Sequence, residues 1–263
     1  MQVISSKDNE FIKHVKKLKD KKYRDESNEY IIEGIKLIEE AVNEKAKIKK
    51  IIVCEDTTNT YEIPTHIRLE IAKYDCIYVT NKIFNSITQV TNPQGIMAII
   101  EKSVKENEID FTQDIIVALD DVQDPGNLGT ILRTIDSIGL NQVIVSKETA
   151  DAFNPKVVRS TMGAIFRVKV IEVENLQETI KTIKRHHFKL MVTSLQTENS
   201  IFDIDFYKKI IVIGNEANGV SKEIQDMADE KAKIPMLGKT ESLNASVAAG
   251  VVMYEYVRQK LNK

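Results

Sequence analysis

Between residues 115 and 263, short runs rich in β-branched residues alternate with stretches of helical periodicity, and nothing else narrows the possible folds so far. Residues 115–119, 142–145, 166–170, 189–193, 210–213 and 231–234 read as strands. Between them, 128–138, 155–162, 176–185 and 221–227 read as helices, and a long helix follows at the C-terminal end. A run such as Ile210-Ile211-Val212-Ile213 has no polar face to offer water, so it belongs in a sheet covered on both sides. The expected fold is α/β, with a doubly wound, mostly parallel sheet and any ligand beyond the carboxyl ends of its strands.

The first hundred residues alternate in the same way on a smaller scale. Strands are expected at 29–33, 48–54, 76–79 and 96–100, with helices at 9–22, 34–42, 64–73 and 81–86. Residues 102–114 are charged and almost without periodicity, so they read as a linker between a small domain at 1–101 and a larger one at 115–263. The net charge of −2 argues neither for nucleic acid nor for membranes, so the distribution of charge decides. In the helix at 9–22, Phe11, Ile12, Val15 and Leu18 form an apolar face, and the remainder is basic. Lys13, Lys16, Lys17, Lys21, Lys22 and Arg24 are therefore candidates for contact with an anionic partner. Cys54 and Cys76 are too few for a disulfide framework, and neither they nor the four histidines have the spacing of metal ligands. No apolar run approaches the roughly 18 residues needed to span a bilayer, which points to a cytoplasmic protein.

Three polar stretches remain as places for chemistry. Asp124-Pro125-Gly126-Asn127-Leu128-Gly129 follows a strand and opens a helix, where Asn127 is expected as the N-cap. Arg133 lies nearly opposite the apolar face of that helix, either solvated or free to hold a phosphate. Gly214-Asn215-Glu216-Ala217-Asn218-Gly219 follows the most apolar strand. Residues 235–242 form a third loop, and 243–254 then continue without any charge, through the small residues Ala245, Ser246, Ala248, Ala249 and Gly250. Such a helix should be packed on several sides, including against a second subunit. Gly238-Lys239-Thr240 does not complete a P-loop, because Lys233 stands where its first glycine is required. No G-x-G-x-x-G follows a strand, so a nicotinamide-type site has no fingerprint.

Together, Asp124–Gly129 with Arg133, Ile213-Gly214-Asn215-Glu216 with Gly219, and Ile234-Pro235-Met236 through Ser242-Leu243-Asn244-Ala245-Ser246 resemble the SpoU (TrmH) family of RNA ribose 2′-O-methyltransferases, in the SPOUT superfamily. Arg159-Ser160-Thr161-Met162-Gly163-Ala164 is similar to that family's intermediate segment. The first hundred residues resemble its accessory RNA-binding domain, itself similar to a small ribosomal-protein fold, through Tyr30-Ile31-Ile32-Glu33-Gly34 and Asn92-Pro93-Gln94-Gly95. The resemblance implies a deep C-terminal trefoil knot, a homodimer packed through it, S-adenosylmethionine as methyl donor and no metal. It also implies an RNA substrate, 23S ribosomal RNA ahead of tRNA, the contrasting reading being a non-catalytic, ribosome-associated RNA-binding protein on the same scaffold. By the same resemblance Arg133, Asn127, Glu216, Ser242 and Asn244 are the catalytic set. Gly214, Asn215, Ile234, Met236 and Leu243 would hold the donor. Arg133 would act as general base, stabilise an incipient alkoxide or fix the adjacent phosphate; Glu216 would orient Arg133 or the loop.

Overall fold

A computed structural model describes residues 3–55, 63–102 and 108–262. In its first half the helices are α1 (Glu10–Lys17), α2 (Lys21–Ser27), α3 (Ile35–Asn43), α4 (Thr65–Ile71) and α5 (Asn81–Ile87). The strands there are β1 (Val3–Ile4), β2 (Glu29–Glu33), β3 (Ile48–Cys54), β4 (Cys76–Val79) and β5 (Ile96–Glu101). Next come β6 (Ile115–Asp120), α6 (Pro125–Ser137), β7 (Gln142–Ser146), α7 (Pro155–Thr161), β8 (Lys169–Val173) and α8 (Leu176–Lys184). The chain continues through β9 (Lys189–Thr193), β10 (Lys209–Gly214), α9 (Lys222–Asp226), β11 (Glu230–Ala232) and α10 (Ala245–Leu261). These elements gather into two compact units. One is Met1–Lys105 with Phe153–Phe166, the other Glu106–Ala152 with Arg167–Lys263. Of the linker expected at 102–114, residues 103–107 lie outside the described residues.

The first unit holds a mixed sheet in the order β1-β4-β3-β5-β2, in which β5 runs antiparallel to both β3 and β2. The single helix expected at 9–22 is two helices. Asp20 interrupts it, because its side chain accepts from the Lys22 N–H at 2.8 Å and so starts α2 as an N-cap. Arg24, grouped with the basic face in the sequence, is 1% exposed, and its Nη1 donates to the Leu18 carbonyl at 2.8 Å. That guanidinium closes the α1–α2 corner and faces away from any ligand. Helix α3 starts at Gly34, which has φ +106° and no side chain to cap with, so Gln94 supplies the cap: its Oε1 accepts from the Ile35 N–H at 2.8 Å. Helix α7 buries Val157 and Val158 and packs on β2. Gly163 beyond it has φ +99°, and a Cβ there would meet the Glu40 carboxylate at 2.7 Å.

In the second unit the order is β11-β9-β10-β6-β7-β8 with every pair parallel. Strand β8 lies at Lys169–Val173, beyond the expected 166–170, because Ala164–Phe166 forms a short 3-10 turn first. The register decides where the loops emerge. Gly214 pairs with Asp120 and Ala232 with Thr193, so β10 and β6 end side by side, as do β11 and β9. The polar turns after these four strands therefore open onto one edge of the sheet. Below them Ile116, Ala118, Ile210, Val212, Leu190 and Val192 make the core.

Candidate active site

Asn127 was expected to cap α6, but Asp124 does so: its Oδ1 accepts from the Asn127 N–H at 2.8 Å, and Pro125 takes the first helical position. Proline suits that place because no intrahelical N–H bond is needed there. Asn127 thus sits inside the first turn, 8% exposed, with its amide free for other work. Its Nδ2 donates to Glu216 Oε1 at 2.8 Å, and its Oδ1 accepts from Asn244 Nδ2 at 3.0 Å. Asn244 in turn caps α10, its Oδ1 accepting from the Ser246 N–H at 2.9 Å and from Ser246 Oγ at 2.7 Å. The direction of this relay is forced. The carboxylate at one end only accepts and the Ser246 N–H at the other only donates, so neither asparagine can flip without breaking a bond. Three loops from distant parts of the sequence are joined through one buried amide.

Glu216 receives two more bonds, from the N–H groups of Gln123 at 3.2 Å and Asp124 at 3.1 Å. Burial opposes the charge on its carboxyl, but the bonds from Asn127, Asp124 and Gln123 outweigh it and hold the pKa below the ordinary glutamate value. Its hydrogen-bond partners are all in the 123–127 turn, and Arg133 is not one of them. Asn215 strengthens the same junction, with Nδ2 donating to the Asp121 carbonyl at 2.9 Å and Oδ1 accepting from Ala217 N–H at 2.9 Å. The turn is closed by paired bonds of 2.9 Å between Asn215 and Gly219. Its return brings backbone so near Gly214 that a Cβ there would stand 2.1 Å from Gly219 C and Val220 N. Glycine is required at 214 by that approach alone.

The turn at 214–220 and the loop before α10, with the segments that follow β9 and β11, surround a cleft of about 310 Å³. Gly214, Asn215, Ile234, Met236 and Leu243 all line it, with Glu216 and Ser242. Asn127 and Asn244 hold its walls from behind and are not among its lining residues. Arg133 is not among them either: it is exposed on α6 and has no hydrogen-bond or ion-pair partner among the described residues. One helical turn further along the same face, Ser137 Oγ meets the half-exposed Tyr254 hydroxyl at 3.3 Å. Val247 and Tyr254 leave α10 partly uncovered in the single chain. Sequence reasoning missed Thr193, Ser194, Leu195, Gln196, Gln225 and Lys233, which also line the cleft. Thr193 ends β9 and the next three residues follow it, so the rule that ligands lie beyond strand ends could have found those four.

Of the candidate RNA-contacting lysines, Lys13, Lys17, Lys21 and Lys22 are exposed and Lys16 half-buried. Lys13 pairs with Glu10 at 2.7 Å, an exposed pair that leaves its charge accessible. Among the described residues no group of three histidine, cysteine or carboxylate side chains could hold a metal, and no helix is long and apolar enough to cross a membrane.

Residues 114–254 match the SpoU rRNA Methylase family, and residues 9–98 match the MRM3-like substrate binding domain. The chain is 33% identical over 255 residues to the Bacillus subtilis 23S rRNA (guanosine(2553)-2'-O)-methyltransferase RlmP, covering 97% of this chain and 98% of that one. It is 35% identical over 183 residues to the Bordetella pertussis 23S rRNA (guanosine-2'-O-)-methyltransferase RlmB, covering 67% and 75%. The crystal structure of an AdoMet-bound rRNA methyltransferase from Sinorhizobium meliloti superposes with a TM-score of 0.85 at 30% identity, covering 98% of both chains.

Proposed function

This chain belongs to the SpoU rRNA methylase family, with an MRM3-like substrate binding domain ahead of the catalytic part, and from that premise we propose that it methylates a ribose 2′-hydroxyl of 23S ribosomal RNA, using S-adenosylmethionine. The observation that carries this reading is the relay Glu216–Asn127–Asn244, which ties together the two loops on the cleft wall, 214–220 and 241–245, through the turn at 123–127. The residues present fit the donor. Gly214 lets the 215–219 turn fold back tightly at the cleft wall, and Ile213, Ile234, Met236 and Leu243 offer apolar surface to an adenine and a thioether chain. When bound, the donor supplies a methyl group made electrophilic by its sulfonium. Glu216 and Asn244 hold the loops in register, and Ser242 on the cleft wall orders the last of them.

Arg133 is the cation that faces the acceptor. A guanidinium keeps its proton to about pH 12 and beyond, so it serves by stabilising the incipient alkoxide and fixing the neighbouring phosphate. Because Arg133 lies outside the cleft of its own chain and shares a helix face with Ser137, beside the uncovered Tyr254, it works in a homodimer packed through α6 and α10. This arrangement goes with the trefoil knot implied for the C-terminal part. The first hundred residues, similar to a small ribosomal-protein fold, hold the RNA through Lys13, Lys16, Lys17, Lys21 and Lys22. The substrate domain is then 1–101 with residues 153–166 grouped to it, 102–114 is the linker, and the rest of 115–263 serves transfer, in the cytoplasm where ribosomes are assembled.

The test is to map 2′-O-methylation, read as resistance of the linkage to alkali, in rRNA and tRNA with and without the protein. A lost site in 23S rRNA is expected; a lost site only in tRNA would move the substrate, and no lost site would remove the activity. Arg133→Ala should abolish transfer while donor binding and thermal stability stay as in the wild type.

A further inference from the structure

The cleft is lined by three charged side chains, Glu216, Lys233 and Glu241, so Lys233 is its one cation among the described residues. The backbone of Lys233 is pinned on both sides, its N–H donating to the Asn199 carbonyl at 2.8 Å and its carbonyl accepting from the Ile201 N–H at 3.0 Å. The root of the side chain is therefore fixed, and the ammonium can move only along its own stem. It pairs with Glu198 at 3.1 Å, but the Glu198 side chain is 99% exposed while that of Lys233 is 31% exposed. A carboxylate so fully in water loses little by giving up a partner. A methionine-type donor carries an ammonium beside its carboxylate; Glu216 and Glu241 suit the ammonium but repel the carboxylate, which leaves Lys233 as the lining charge of the right sign for it.

We propose that Lys233 exchanges Glu198 for the carboxylate of the donor's methionine tail, and so sets which way round the donor lies in the cleft. The inference rests on the reading of S-adenosylmethionine as donor. Neither Lys233 nor Glu198 belongs to the loops joined by the asparagine relay, so the proposed contact is independent of them.

Calorimetry with S-adenosylmethionine and with its decarboxylated analogue tests this directly. The wild type should prefer the full donor by about tenfold, the worth of one charge-assisted bond. Lys233→Gln should lose that preference by weakening only the full donor, with the decarboxylated analogue bound as before. Glu198→Gln, which frees the ammonium, should bind the full donor at least as tightly as the wild type. Equal affinity of the wild type for both compounds, or equal weakening of both by Lys233→Gln, would overturn the proposal while leaving the donor reading intact. Absence of any donor binding by the wild type, with RNA present, would overturn both.

Discussion

The two units are built from the same kinds of element, yet their polar turns are put to opposite uses. In the first, β5 runs against its neighbours, so turns leave from both edges of the sheet, and each turn residue is consumed nearby: Gln94 caps α3, and Glu33 takes bonds from Thr88 and Gln89. In the second, all strands run one way, so the turns crowd one edge and bond to each other, as Glu216, Asn127 and Asn244 do. A parallel sheet collects its loops; a mixed one disperses them. That difference in direction, more than residue type, explains why the cleft lies in the second unit.

The comparison breaks most severely at Gly214. Gly214→Ala has no room, and the 215–219 turn should be forced open at a cost of about 3 kcal/mol or more, with donor binding lost. Urea unfolding and calorimetry check both, and an alanine variant that binds donor normally would deny the close approach. Asn127→Ala should come next. It takes one of three bonds from the Glu216 carboxylate and the only link from Asn127 to the Asn244 amide, which costs about 1–3 kcal/mol, and transfer should fall on the order of 100-fold as the loops lose register. In the first unit, Gln94→Ala removes a single helix cap. A loss of about 1 kcal/mol is expected, with donor affinity unchanged, measured by melting and calorimetry side by side.

The smallest effect sharpens the comparison by its sign. Glu33 and Glu216 both receive hydrogen bonds, but burial dominates at Glu33, and the bonds from Thr88 and Gln89 with the charges of Arg159 and Lys19 only partly offset it, so its pKa is raised. Its contribution to stability is present below the ordinary glutamate pKa and lost as pH rises through the higher folded value. At Glu216 the bonds win, so its contribution is present above the ordinary value and lost as pH falls through the lower folded one. Around pH 7, Glu33→Gln should stabilise slightly and Glu216→Gln should destabilise, and both differences should fade in acid, where each wild-type carboxyl is protonated as well. Urea midpoints for the two variants at both pH values decide it; parallel shifts would mean that neither environment differs as described.

Much of this was legible in the residues. The alternation from 115 onward specified a parallel sheet because strand cores such as Ile115–Leu119 carry no polar face to turn to water. What escaped were features set by a competing side chain. Asp20 and Asp124 each claimed a helix start, which split the helix expected at 9–22 and moved the beginning of α6 ahead of Asn127. Arg24 looked like one more surface cation, because charge says nothing of a carbonyl waiting six residues earlier. Lys233 was read as part of a strand at 231–234, since its neighbours in the cleft include residues from β9 and its following loop, far away in the chain.

Helix α7 has a consequence for how such a protein can be inherited. Residues 153–166 lie in the first unit, while the chain on either side of them lies in the second. A recombination that exchanged front halves between relatives near residue 105 would bring in a foreign β2 to meet the old Val157 and Val158, both wholly buried against it. The first unit is thus not a cassette: to swap it, evolution or an engineer has to move two separate stretches of gene together.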